Sequence, residues 1–261
     1  MLAVIGALEE EVDLIEAAMT VSGRHTHAGI ETVRGIFGGV EIVLAQCGVG
    51  KVNATICTQM LIDHYRPGAL VFSGVAGGLL PNMRVGDVVI ASHLIQYDMD
   101  LTAFGRRHGE VPGQDSRMIE SDPGLVQKAA AAFDAAFPDP VPDGAPDAAP
   151  DAARAPSLML GTVVSGDRFI QDPETLRWLQ REFSALATEM EGAAVGYTCG
   201  LNEVPFVVIR ALSDTASETA SDDFSANLGE VCANSFRLLE RLIPEIGADL
   251  ASENPDYQEA S

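Results

Sequence analysis

Three acids and one arginine stand where apolar runs give way to polar residues: Glu11, Glu191 and Asp214, with Arg210 four residues before the last of them. Together they could break a glycosidic bond to a purine. One carboxyl hands a proton to the departing base, one activates water, and one puts negative charge beside the oxocarbenium ion that develops between them. Three carboxyls divide these tasks only if their surroundings pull their ionisation apart, and a guanidinium can hold one ionised while another stays neutral. A free aspartate, with a pKa near ~3.9, is ionised at pH 7. Asp214 therefore acts as an acid only when buried or beside another negative charge, and the apolar run Phe206-Val207-Val208-Ile209 leading to it predicts burial. A single acid at such a place is usually a helix N-cap or a solvated turn. The set of three with Arg210 is what points to a site.

Other chemistries fit less well. His25, His27, His64, His93 and His108 show no metal-ligand spacing, and Asp98-Met99-Asp100 alone cannot fill a coordination sphere, so neither metal nor cofactor is expected. No GxSxG elbow is present. Gly48-Val49-Gly50-Lys51 falls short of a phosphate loop, because Ala45 stands where the first glycine belongs and Val52 where Ser or Thr belongs. Phe104, Phe169 and Phe224 could stack on a purine, although core packing is the ordinary use of such rings.

The elements that must position these residues read as an alternation. Strands are expected at Leu2–Gly6, Glu41–Cys47, Ala69–Ser73, Asp87–Ile95, Leu158–Ser165, Ala185–Thr188 and Phe206–Leu212, with Thr32–Phe37 as the first arm of a hairpin. Helices are expected at Glu9–Met19, Val52–His64, Pro123–Phe137, Pro173–Phe183, Ala193–Leu201 and Asp222–Ile246. This implies an α/β fold, a single domain with a central mixed, mostly parallel twisted sheet flanked by helices. Acids, glycines and hydroxyls follow five of the strands, at Glu9-Glu10-Glu11, Gly74–Gly78, Ser165-Gly166-Asp167, Glu189-Met190-Glu191 and Ser213-Asp214. Ligands of open α/β sheets bind beyond the carboxyl ends of the strands, so these ends predict one shared pocket. Gly74-x-x-Gly77-Gly78 reads either as a tight turn or as backbone that a ligand approaches closely.

At 261 residues the chain suits one large domain. It should run over residues 1–251, with a flexible insertion at 138–156, which is nearly all Pro, Asp, Ala and Gly, and a polar tail at 252–261. The net charge of -22 repels polyphosphate and anionic membranes, so neither nucleic acid nor membrane is an expected partner. Nothing approaches ~18 consecutive apolar residues, and the N-terminus reads as a strand and turn, not a targeting segment. Cys47, Cys57, Cys199 and Cys232 are scattered as small buried hydrophobes would be, which together points to the cytoplasm.

In order along the chain stand GALEEE (6–11), GVGKVNA (48–54), SGVAGGL (73–79), VGD (85–87), DLTAFG (100–105), SGDRFI (165–170), EME (189–191) and RALSD (210–214). This series resembles the bacterial 5'-methylthioadenosine/S-adenosylhomocysteine nucleosidases of the nucleoside phosphorylase superfamily, from Met1 to about Phe224. The resemblance implies a nucleoside phosphorylase-like fold and a small-molecule nucleoside substrate. Glu11 would activate the attacking water, with Arg210 in an ion-pair network nearby. Glu191 would grip the ribose hydroxyls, with Glu189 and Met190 beside the sugar. Asp214, supported by Ser213, would protonate N7 of adenine. Phe169 would stack on the base, Ile170 would bond its edge through the backbone, and Gly77 would let it approach. Leu8 and Val49 would line the alkylthio pocket, and Phe224 would close the site. The family is typically homodimeric, so Leu101, Phe104 and Pro112 would reach into the partner's pocket.

The chain departs from the pattern at Val75, where many relatives carry a serine that touches the sugar, and in the acidic insertion. A carboxylate facing phosphate at contact distance is repelled by several kcal/mol, so Glu9-Glu10-Glu11 favours water as nucleophile. The alternatives are a futalosine-type nucleosidase, a nucleoside phosphorylase and a non-catalytic nucleoside-binding module.

Overall fold

The computed structural model describes residues 1–138, 155–216 and 220–253. The expected insertion, apart from its edges, and nearly all of the expected polar tail lie outside the described residues. Among the described residues ten strands and six α-helices follow one another as β1 Leu2–Gly6, α1 Glu9–Ala18, β2 Thr20–His27, β3 Ile30–Phe37, β4 Val40–Gln46, α2 Lys51–Tyr65, β5 Ala69–Gly78, β6 Val88–Gln96, β7 Ile119–Glu120, α3 Pro123–Ala136, β8 Leu158–Ser165, α4 Pro173–Phe183, β9 Ala185–Glu189, α5 Gly192–Leu201, β10 Phe206–Asp214 and α6 Ala220–Glu253. These ten strands join one mixed sheet, in which the longest pairings, β5 with β10 and β6 with β8, are parallel.

The sheet is more than an open fan. β10 pairs with both β6 and β5, so β10, β6, β8, β9 and β5 form a closed ring, from which β1, β4, β3 and β2 extend as a wing. β5 is the branch point. Its first residues, Ala69–Phe72, pair with β1; its last two, Gly77 and Gly78, pair with β9. Between them one edge of β5 is left without a neighbouring strand, and the site opens there.

Burial explains the strands. β1 and β10 are buried along their whole length, and β5 along all of it except Val75, as expected where helices cover both faces of a sheet. One apolar layer lies under α2 and α5 and includes Ile5, Phe72, Leu94 and Val208. The other lies under α1, α3 and α6 and includes Val4, Val71, Ile209 and Leu242. The four cysteines are free and buried. Among the described residues no helix is long and apolar enough to cross a membrane.

Two expectations about elements need correction. The run Gly74–Gly78 is neither a turn nor a loop but the second half of β5, held in the ladder by β10 and then β9. The outer hairpin strand β2 was not expected at all. It is a mostly exposed edge strand of polar residues, paired with β3 alone, so no apolar alternation marks it.

Candidate active site

α1 begins with three acids at the positive end of its dipole, but only the third turns inward. Glu11 reaches back over its own first turn. Its Oε2 accepts the N–H groups of Ala7 (2.6 Å) and Leu8 (3.0 Å), and its Oε1 accepts that of Val75 (2.9 Å). The Val75 N–H lies in the stretch of β5 that β1 no longer covers, so the carboxylate takes the place of a missing strand. Glu9 and Glu10 are exposed, which leaves Glu11 alone to present charge to the interior.

The glycines of β5 make this approach feasible. A Cβ on Gly74 would stand 2.7 Å from Glu11 Oε1 and 3.1 Å from Arg210 Nη1, and one on Gly77 would stand 2.9 Å from Asp214 Oδ1. They admit carboxylates and a guanidinium against the backbone, a third use that neither the turn nor the ligand-approach reading anticipated.

Asp214 ends β10 at an irregularity where Ser213 drops out of register and Asp214 faces Gly77. Ser213 Oγ donates to its Oδ2 (2.9 Å), and the Ala216 N–H donates to its Oδ1 (2.8 Å). Burial pushes the carboxyl above its ordinary range against these two bonds, and the charge of Asp223 adds to the rise. Burial likewise raises Glu11, opposed by Arg210 and by its three N–H donors.

Glu191 opens α5. Its Oε1 accepts the Gly50 N–H (2.6 Å), which joins the N-terminus of α2 to that of α5. Burial, and next the charge of Glu189, raise its pKa to about 8. Arg210 is 1% exposed and pairs with Glu189 Oε2 (2.8 Å), not with Glu11 or Glu191, while its guanidinium lies 3.9 Å from the Phe72 ring centre.

These groups surround one cavity of about 410 Å³. Of the residues singled out in the sequence, Leu8, Glu11, Val49, Gly77, Phe169, Ile170, Glu189, Met190, Glu191, Ser213, Asp214 and Phe224 line it. Phe169 and Phe224 meet edge to face with centroids 5.9 Å apart. Arg210 lies behind the wall. Leu101, Phe104 and Pro112 do not line this chain's cavity; Phe104, in a single 3-10 turn after β6, is 80% exposed. The sequence reading missed Ala7, Ala76, Arg168, Thr188, Ser221 and Ser225 as lining residues. Small residues, hydroxyls and a lone arginine are too common along the chain to mark a pocket wall, and only the tertiary fold brings them together. It also missed Ser165 as the partner of Glu189, although Ser165 opens one of the quoted motifs.

Arg168, the one cation among the described lining residues, is tied to Asp172 (2.7 Å), and Arg210 is neutralised by Glu189. A wall of this kind suits a neutral polar ligand with an apolar body better than a dianion.

The family model described as phosphorylase superfamily matches residues 1–244. A 5'-methylthioadenosine/S-adenosylhomocysteine nucleosidase of Geobacillus kaustophilus is 38% identical over 240 residues, 91% of this chain and 94% of that protein. The Neisseria meningitidis nucleosidase of the same name, solved with methylthio-immucillin-A, superimposes with a TM-score of 0.82 at 34% identity, over 93% of this chain and 97% of that one. A futalosine hydrolase of Helicobacter pylori superimposes with a TM-score of 0.83 at 30% identity, over 94% and 97%.

Proposed function

The chain belongs to the phosphorylase superfamily and, within it, to the 5'-methylthioadenosine/S-adenosylhomocysteine nucleosidases, and from that premise we propose that it hydrolyses the N-glycosidic bond of these two nucleosides to adenine and a 5'-thio-substituted ribose. One observation carries the reading: Glu11, Glu191 and Asp214 line a single cavity, and burial raises the proton affinity of each.

Asp214 is the acid. A carboxyl that burial pushes towards its protonated form can pass a proton to N7 of the departing base, with Ser213 fixing its orientation. Glu11 is the base that activates water at the anomeric carbon. Its raised pKa strengthens it as a base, and its three N–H donors hold it in one rotamer. Glu191 accepts from the ribose hydroxyls, with Met190 packed beside the sugar. Phe169 stacks on adenine and the Ile170 backbone bonds its edge, while Leu8 and Val49 take the thioether and Phe224 closes the opening. The case for water over phosphate rests on Glu11 alone, since Glu9 and Glu10 point to solvent.

The working unit is a homodimer in which Leu101, Phe104 and Pro112 complete the partner's site. The exposure of Phe104, together with apolar Val52 (69%) and Leu201 (63%) on the surface, supports this. The unit is one nucleosidase domain through residue 251, and it acts in the cytoplasm in methionine salvage.

Release of adenine or hypoxanthine from methylthioadenosine, adenosylhomocysteine and a futalosine-type nucleoside, each with and without phosphate, tests the proposal. Adenine and the free 5'-thio-substituted ribose, formed from the first two substrates without phosphate, are expected. Phosphate-dependent sugar phosphate would overturn hydrolysis, and preference for the futalosine-type substrate would move the chain to the activity of its Helicobacter pylori neighbour.

A further inference from the structure

Glu189 lines the cavity by residue, yet its side chain is only 2% exposed, and both of its oxygens are occupied within the protein. Oε1 accepts from Ser165 Oγ. Oε2 accepts from the N–H groups of Glu191 (3.1 Å) and Gly192 (2.7 Å), and from Nε (3.2 Å) and Nη2 (2.8 Å) of Arg210. Ser165, at the end of β8 and wholly buried, passes the connection on by accepting the Ala193 N–H (2.7 Å). One carboxylate thus ties the ends of β8 and β9 and the middle of β10 to the first turn of α5, the turn that Glu191 opens. Oε2 is saturated by four donors, and Oε1, held by Ser165 in a side chain 2% exposed, is turned into the protein and away from a sugar hydroxyl.

We propose that Glu189 does not contact the nucleoside but is the positioning residue for Glu191, clamping the first turn of α5 to Arg210 and Ser165 so that Glu191 meets the ribose in one geometry. This rests on the nucleosidase reading and refines it, because the resemblance alone placed Glu189 among the substrate contacts. The clamp has an electrostatic side. The groups facing Glu191 are Glu189 from β9, Arg210 from β10, Glu11 from α1 and Cys47 after β4, with Asp167 on the neighbouring N–H of Lys51. Of these charges Glu189 acts most strongly on Glu191, in the direction that keeps its proton.

Glu189→Gln separates the two effects. The amide keeps the shape: its oxygen can accept from α5 and Arg210, and its NH2 can donate to Ser165 Oγ. Adenine release by the wild type is measured first, and its absence sinks the nucleosidase reading without touching the clamp. With activity in hand, KM and kcat/KM are followed from pH 5 to 9. In Glu189→Gln the inflection belonging to Glu191 moves down by about one unit or more, as removal of an adjacent like charge requires. The high-pH plateau of kcat/KM falls roughly tenfold, because a charge-assisted hold on the α5 turn has become a neutral one. Inflection and plateau both matching the wild type would overturn the proposal, whatever the Tm of the variant. A second measurement needs no variant: in crystals with methylthio-immucillin-A bound, a Glu189 oxygen within hydrogen-bond distance of the inhibitor overturns it too.

Discussion

Asp214 shows what one residue owes to its surroundings. In water it would be ionised at pH 7; at the end of a strand buried throughout, it is pushed towards the protonated form that can give a proton away. Asp214→Asn should lower kcat by about 10²–10⁴-fold, the usual contribution of acid catalysis, and Glu11→Gln should do likewise. Wild-type turnover in either variant assigns the acid or the base elsewhere. Glu191 carries a stability prediction with a definite sign. Its pKa is about 8 in the folded protein against an ordinary 4.5, so the folded state holds the extra proton between those values. Its contribution is present at low pH and is lost as pH rises from about 4.5 towards 8. Glu191→Gln removes that slope. The variant should gain about 3–4 kcal/mol on the wild type between pH 5 and 8, roughly 10 °C in Tm by calorimetry. Parallel Tm profiles for the two proteins would refute the assignment. The three acids and Arg210 are legible in the sequence because acids at the ends of apolar runs are costly without a use. Arg210's partner is not, because Glu189, Glu191 and Glu11 are equally plausible until distances choose Glu189.

At the scale of elements, β5 does most to shape the site. It gives up β1 as a neighbour after Phe72 and takes β9 at Gly77, and in the interval Glu11 bonds its Val75 N–H. Gly74 is the residue that this arrangement cannot change. Gly74→Ala places a methyl against Glu11 and Arg210, and the carboxylate must shift off the Val75 N–H to make room. We expect kcat to fall roughly a hundredfold, as when a catalytic group is misplaced by about 1 Å, with a loss of about 1–3 kcal/mol in stability. Urea titration and kinetics of the same preparation read both. An active, fully stable Gly74→Ala would show that Glu11 has another place to go. Periodicity located the buried strands and most of the helices to within a few residues, since burial on both faces writes an unbroken apolar run. It could not locate β2, whose residues mostly face solvent, nor see that Gly74–Gly78 continues a strand, since glycine weakens strands as often as it ends them.

For the whole molecule, the net charge of -22 sets a background repulsion that the fold must withstand. Raising salt from about 10 mM to 500 mM shortens the Debye length from ~30 Å to only a few ångströms, so Tm should rise by several degrees. A Tm that is flat or falls with salt would mean that ion pairs, such as Arg117 with Glu182, outweigh the repulsion. The ordered motifs place the chain in its family, and alternation of apolar and amphipathic segments yields the fold class, because burial and helix period are written locally. Closure of the sheet through β10, the gap beside β5 and the capture of Glu189 by five donors were decided by tertiary structure alone. Each depends on pairing between segments far apart in the chain, and the same alternating pattern is compatible with an open sheet. The three acids with which the sequence reading began are local facts. That Arg210 pairs with Glu189 and with none of them, so that all three are left for a ligand, follows from how the strands close.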